Sequence, residues 1–267
     1  MKRVEAFLGK IIKGDSATVL SQIQKESVDL VVTSPPYDEL RDYSKDATWT
    51  FESFKKIARQ LYRVMKPGGV VVWVVGDSVV NGGKTLTSYR QALYFQQLGF
   101  SMFDVIIYEK AGSAPPHKNR YFNSFEYMFV LAKGKPKTIN IIKDKENKWG
   151  HYQTFGIVTR REKDGSLSPK GRKTISQFGA RTNIWRYNNG KGFATKDKVA
   201  YEHPAIFPEK LAEDHIITWS NEGDIVLDPF AGSGTVAKMA IRLNRRWFGI
   251  EISEEYCKIA NERIKDL

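Results

Sequence analysis

The chain has almost no cysteine: Cys257 is the one thiol in 267 residues. No internal disulfide can form, which excludes the disulfide-stapled scaffolds and fits a reducing compartment. Histidine is scarce as well. His117, His151, His203 and His215 show no metal-ligand spacing with one another or with Cys257, so no metal is expected. No apolar run reaches the length of a membrane span. Met1-Lys2-Arg3-Val4-Glu5 leads into no apolar stretch of the signal-peptide kind. The expectation is a cytoplasmic protein with no membrane partner. Internal repeats and low-complexity tracts are absent too, which excludes solenoids. The length suffices for one large α/β domain with a sizeable core, or for a core plus a small lobe.

Positive charge is in excess, with 42 Lys and Arg against 30 Asp and Glu. The excess is not spread evenly. Residues 133–198 hold 17 basic and 5 acidic side chains, and the rest of the chain has 25 of each. One block therefore carries the whole surplus, the footprint of a surface that faces nucleic acid. Trp149, Tyr152, Phe155, Phe178, Trp185, Tyr187 and Phe193 are interleaved through it. A disordered linker would have few of these, so the block reads as a small irregular lobe.

Outside the block the pattern alternates. Short, nearly continuous apolar runs at residues 28–32, 70–75, 104–108, 127–131, 224–227 and 247–250 suit strands covered on both faces. Between them lie helical spacings. Phe51, Phe54, Ile57, Ala58, Leu61 and Met65 share one face, and Pro67-Gly68-Gly69 stops that helix. Residues 91–98 form another, ended by Gly99. Ser253 caps a last helix that carries Tyr256, Ile259, Ala260 and Ile264. Such alternation predicts an open, doubly wound, mostly parallel α/β sheet of the Rossmann-like kind.

Two strand tips carry chemistry. Asp228-Pro229-Phe230-Ala231-Gly232-Ser233-Gly234-Thr235 is a strand end, a glycine turn and a helix start. The glycines let backbone approach a ligand, and the helix N-terminus offers N–H groups. It is not a P-loop, because no Gly-Lys-Ser/Thr follows, and Ala237 stands where a dinucleotide fold would need its third glycine. Asp228 can meet a cationic amino-acid group. Glu251, with Ile252 behind it at the next strand end, can meet ribose hydroxyls. An acidic tip, a glycine turn and a downstream acid suit S-adenosylmethionine better than a nucleotide phosphate. The second tip is Thr33-Ser34-Pro35-Pro36-Tyr37. Its two prolines stiffen the loop and hold the Ser34 hydroxyl and the Pro35 carbonyl as acceptors, with an aromatic ring beside them.

The second tip resembles the catalytic motif Asp/Asn/Ser-Pro-Pro-Tyr/Phe of the amino-methylating DNA methyltransferases, and the likeness extends over nearly the whole chain. Lys13-Gly14-Asp15 resembles the segment that contacts the cofactor adenosine. Lys66-Pro67-Gly68-Gly69 resembles the middle of the sheet. Residues 125–134 resemble the strand before the target-recognition region. His203-Pro204-Ala205-Ile206-Phe207-Pro208-Glu209-Lys210-Leu211 resembles the segment that closes over the methionine end. The catalytic motif precedes the cofactor motif, with the basic block between them, as in the β class.

The resemblance implies a class I methyltransferase of the restriction-modification kind. Its S-adenosylmethionine would be held by Asp15, Ser34, Phe207, Pro208, Asp228, Pro229, Phe230, Ala231, Gly232, Ser233, Gly234, Thr235, Glu251 and Ile252. Catalysis would rest on Ser34, Pro35, Pro36 and Tyr37, with Tyr37 stacking on a base flipped out of double-stranded DNA. Residues 1–132 would be the catalytic half of the sheet domain, 133–200 an inserted target-recognition region, and 201–267 the cofactor half. Arg160, Arg161, Arg172, Lys173, Arg181 and Arg186 are the candidate DNA contacts, mostly to phosphate. In the family a leading Ser is associated more with cytosine N4 and Asp with adenine N6. An adenine N6 enzyme, an RNA target and a catalytically silent nucleic-acid binder on the same fold remain alternatives. A cognate restriction endonuclease acting separately is a further expected partner. The mechanism needs no covalent intermediate, so Cys257 has no catalytic role and suits helix packing.

Overall fold

The apolar runs become strands because β-branched residues fill a pleated, doubly covered surface. The computed structural model describes residues 1–36, 49–111, 119–154, 159–169, 171–190 and 192–267. Tyr37, the loop at residues 38–43, His117, Phe155, Lys170 and Lys191 lie outside the described residues.

Eight strands make one sheet. They are β1 (Ile11–Lys13), β2 (Val28–Thr33), β3 (Met65–Val75), β4 (Ser101–Ala111), β5 (Phe125–Ala132), β6 (Ile184–Asn188), β7 (Ile225–Asp228) and β8 (Arg246–Glu251). Across the sheet the order is β1-β8-β7-β2-β3-β5-β4-β6. β5 runs antiparallel to β3 and β4, and every other pairing is parallel. The expected doubly wound α/β fold is therefore present. Helices α1 (Ser16–Gln22), α2 (Phe51–Val64), α3 (Thr87–Gln97), α4 (Glu209–Trp219), α5 (Thr235–Arg242) and α6 (Glu254–Ile264) accompany it. Two apolar clusters cover the two faces. One centres on Trp73, Phe54 and Phe95, the other on Met128, Leu211 and Ile216.

Local signals set most of the boundaries. The Thr50 hydroxyl accepts from the Ser53 N–H at the start of α2, and the Ser253 hydroxyl caps α6 as expected. The expected end of α2 comes one residue sooner, because Met65 pairs with Val28 as the first residue of β3. Lys66-Pro67-Gly68-Gly69 then forms an irregularity inside that strand rather than a loop before it, with Gly68 at φ +79°.

Two strands of this sheet escaped the sequence reading. β1 is three residues long. β6 lies within the basic block, where Trp185 and Tyr187 point into the core while Ile184, Arg186 and Asn188 stay exposed. That is a period-two pattern masked by polar composition. With β6 in the sheet, the separate compact unit narrows from the expected 133–200 to Ile141–Thr182. Asn140 marks its near boundary by donating to the Ile217 carbonyl at 3.0 Å, within the sheet unit. The described residues of Ile141–Thr182 form short hairpins, and neither apolar cluster includes any of them.

Candidate active site

In an open parallel sheet, ligands gather at the carboxyl ends of the strands. Here a cavity of about 1760 Å³ opens along that edge. Small-molecule sites usually measure roughly 300–1,000 Å³, so the space exceeds what one cofactor needs. Asp15, Ser34, Pro36, Phe207, Pro208, Asp228, Pro229, Phe230, Ala231, Gly232, Ser233, Thr235, Glu251 and Ile252 all line it. Pro35 and Gly234 do not, although each sits between two residues that do.

The pairing of β7 with β2 sets the tips of the two motifs side by side. The Thr33 hydroxyl donates to Asp228 Oδ1 at 2.6 Å, and the Phe230 N–H donates to the same oxygen at 3.0 Å. Oδ2 accepts no hydrogen bond among the described residues. Burial pushes the Asp228 carboxyl up to about 7, against those two hydrogen bonds and with help from the nearby Glu251 charge. Glu251 is also raised by burial, although its oxygens accept from the N–H groups of Gly232 at 2.8 Å and Ser253 at 2.9 Å. Two buried carboxylates therefore face one space, and neither forms an ion pair among the described residues.

The glycine turn is shaped by what surrounds it. Gly232 has φ +49°, and a Cβ there would stand 3.0 Å from His203 Nε2. Gly234 has φ +76° and no room beside Ala260. His203 is buried, accepts from the Ala205 N–H at 3.1 Å and packs edge-on against Tyr256. The Ser16 hydroxyl donates to the Pro229 carbonyl at 2.5 Å. Asp15 caps α1 through the Thr18 N–H at 2.8 Å, and also reaches the cavity wall.

Below the turn lies an ionic cluster that sequence reasoning missed. Lys238 Nζ reaches Asp197 at 2.6 Å and Glu209 at 2.7 Å. Arg263, with a fully buried side chain, reaches the same two carboxylates and donates to the Ser233 carbonyl at 2.6 Å. Burial opposes charge on Asp197, but the Lys238 and Arg263 hydrogen bonds hold its carboxyl below the ordinary value. Lys238, which comes too late for a P-loop, anchors the helix after the turn instead. Thr33, Ser16 and His203 were likewise visible as residues but not as partners, because each partner is distant in sequence.

Of the candidate DNA contacts, Arg160, Arg161, Arg172 and Lys173 are exposed within the Ile141–Thr182 unit. Arg160 and Arg161 sit on a hairpin opposite Ser168 and Leu167. Arg181 is engaged by Asp144, with Nε at 3.0 Å from Oδ2, which reduces its value as a free phosphate contact. Arg186 is exposed on β6, in the sheet unit.

A family model described as DNA methylase matches residues 28–262. The chain is 55% identical over 249 residues to the orphan methyltransferase M.BamHII of Bacillus amyloliquefaciens, covering 90% of this chain and 89% of the relative. A candidate DNA modification methylase of Thermus thermophilus, solved in complex with S-adenosyl-L-methionine, is 26% identical with a TM-score of 0.63. That alignment covers 96% of this chain and 93% of the other. The cytosine-N4-specific PvuII DNA methyltransferase shares the fold at a TM-score of 0.67 and 19% identity, covering 96% and 89% of the two chains.

Proposed function

The chain belongs to the DNA methylase family of amino-methyltransferases, and on that premise we propose that it methylates cytosine N4 in DNA through Ser34 and Pro35. The methyl donor is S-adenosylmethionine, which when bound supplies an electrophilic methyl group on a sulfonium sulfur. The residues present fit it. The half-satisfied, buried Asp228 carboxylate suits a ligand ammonium, and Glu251 keeps lone pairs for ribose hydroxyls. Gly232 and Gly234 take the positive φ values that shape the turn, and His203 and Ala260 pack where their side chains would stand. Phe207, Pro208, Asp15 and Ile252 lie on the same wall; Phe207 and Pro208 would shield the methionine end of the bound cofactor, and Asp15 and Ile252 would border its adenosine.

An exocyclic amine is a weak nucleophile because its lone pair is delocalised into the ring. The Ser34 side-chain oxygen and the Pro35 carbonyl accept the two amine hydrogens. That favours a pyramidal nitrogen whose lone pair faces away from the protein acceptors. Catalysis here is positioning and electrostatic stabilisation. Pro36 stiffens the tip, and Tyr37 stacks on the extruded base.

One observation carries the reading: the 2.6 Å bond from Thr33 to Asp228. It ties the residue before Ser34 to the carboxylate that receives the cofactor, so the acceptors and the donor site hold one registry. The choice of N4 rests on Ser34 leading the motif. Digesting DNA methylated by the protein and identifying the modified nucleoside tests it. N4-methylcytosine is expected, and N6-methyladenine overturns the cytosine assignment while leaving the methyltransferase in place.

A further inference from the structure

Part of the cavity lies beyond the residues assigned above to the cofactor and to catalysis. Beyond the end of β3 its wall is formed by the hairpin of Val79–Val80 with Gly83–Lys84, by the start of α3, and by the segment leading into β5. Large aromatic side chains stand in solvent there. Tyr121 is 99% exposed, Tyr89 46%, Phe122 39% and Phe125 37%, and all four line the cavity. Exposed apolar surface gathered at one mouth marks a binding surface.

Two of these rings, Tyr89 and Phe125, are backed by Tyr127. Tyr127 stacks on Phe129 with ring centres 5.4 Å apart, and Phe125 meets Tyr127 edge-on at 5.3 Å. The Tyr89 and Tyr127 hydroxyls are 2.5 Å apart. Arg120 Nη2 donates to the Gly82 carbonyl at 2.9 Å, holding the segment to the hairpin. Cations share the lining with the rings: Lys84, Arg120 and Lys110, the last paired with Glu126. Flat π faces with cations between them suit a polyanion that has π faces of its own. An aliphatic protein surface would bring no counter-charge to Lys84 and Arg120.

We propose that Tyr89, Tyr121, Phe122 and Phe125 form a stacking platform for unpaired nucleobases flanking the target in the methylated strand. The proposal rests on the DNA methylase reading and adds a second grip to it. Phosphate contacts from the basic block weaken with salt, whereas stacking on rings does not.

The test is binding of a short single-stranded oligothymidylate, followed by fluorescence anisotropy over a salt series. The Tyr121→Ala, Phe122→Ala double variant is compared with the parent. Both positions are exposed, so folding is expected to survive, and unchanged S-adenosylmethionine binding in calorimetry confirms that it has. Affinity is expected to fall about tenfold for each ring removed, at every salt concentration, with the slope of log Kd on log salt unchanged. Tyr121→Trp keeps the affinity. Equal binding by parent and double variant overturns the platform, as does a parent that ignores the oligonucleotide. A loss of affinity with a matching loss of salt slope also overturns it, because the rings would then only position Arg120. Methyl transfer to duplex DNA by the parent is measured alongside. Its presence keeps the methylase reading whatever happens to the platform, and its absence removes that reading.

Discussion

The two ends of the cavity are built on opposite plans. At the cofactor end, polar groups are buried and cross-tied: Thr33 to Asp228, Gly232 to Glu251, Ser16 to Pro229, and Arg263 to the carbonyl of Ser233. At the other end the rings of Tyr121, Phe122 and Phe125 are in solvent, and their polar ties are few. A ligand that is identical in every turnover can be met by a prearranged, desolvated site. A polymer that must enter, be read and leave is better met by open surface. On the proposed reading, preorganisation sits where the ligand is constant.

The largest effect expected from this contrast is at Asp228. Asp228→Ala should weaken S-adenosylmethionine binding about 100- to 1,000-fold by calorimetry, since it removes a buried charged partner. Oligothymidylate binding should stay intact. If DNA affinity falls by the same factor, the two ends are not independent. Ser34→Ala is next, with turnover expected to drop about 100-fold and cofactor affinity retained. Single-turnover methyl transfer with saturating cofactor measures this, and a loss confined to cofactor affinity would move Ser34 out of catalysis.

The smallest effect is a pH signature that belongs to the cofactor end alone. The Asp228 carboxyl is pushed up to about 7 by burial, whereas an unfolded aspartate titrates near about 4. Between those values the folded, ligand-free protein holds a proton that the unfolded chain has released. Stability is therefore greatest at low pH with respect to this group, and is lost as pH rises through about 7. A ligand ammonium favours the carboxylate, so binding below about pH 7 expels the proton, and affinity climbs toward pH 7 and then levels. Calorimetry at about pH 6 in two buffers of different ionisation heat should detect proton release that Asp228→Asn abolishes. At the other end the Tyr127 hydroxyl is pushed up to about 12 by burial and by its bond to Tyr89, so it contributes nothing in that range. Proton release that persists in Asp228→Asn would shift the effect to Glu251, whose carboxyl is raised as well.

Much of the sheet was legible because its signals are local. Residues 28–32 and 70–75 are apolar along their length, as doubly covered strands require, and the Asp228 glycine turn announces a strand end followed by a helix start. β6 was not legible. Its inward residues, Trp185 and Tyr187, are separated by Arg186 in a block whose composition reads as polar. The compact unit is shorter than the basic block for the same reason, since charge density does not mark where a strand joins a sheet. That Arg181 engages Asp144 was not legible either, because the two are far apart in sequence.

By itself the sequence determined the alternation of strands and helices, the two chemical tips at Ser34 and Asp228, and the concentration of positive charge in one block. Each of these is a pattern of neighbours along the chain. Only the tertiary structure decided that Thr33 would hold Asp228 from 195 positions away. It also decided that His203 would roof Gly232, that Arg263 and Lys238 would share two carboxylates beneath the turn, and that four exposed rings would line one cavity. Those arrangements come from strand order and helix packing, which bring distant residues together without leaving a local periodicity to read.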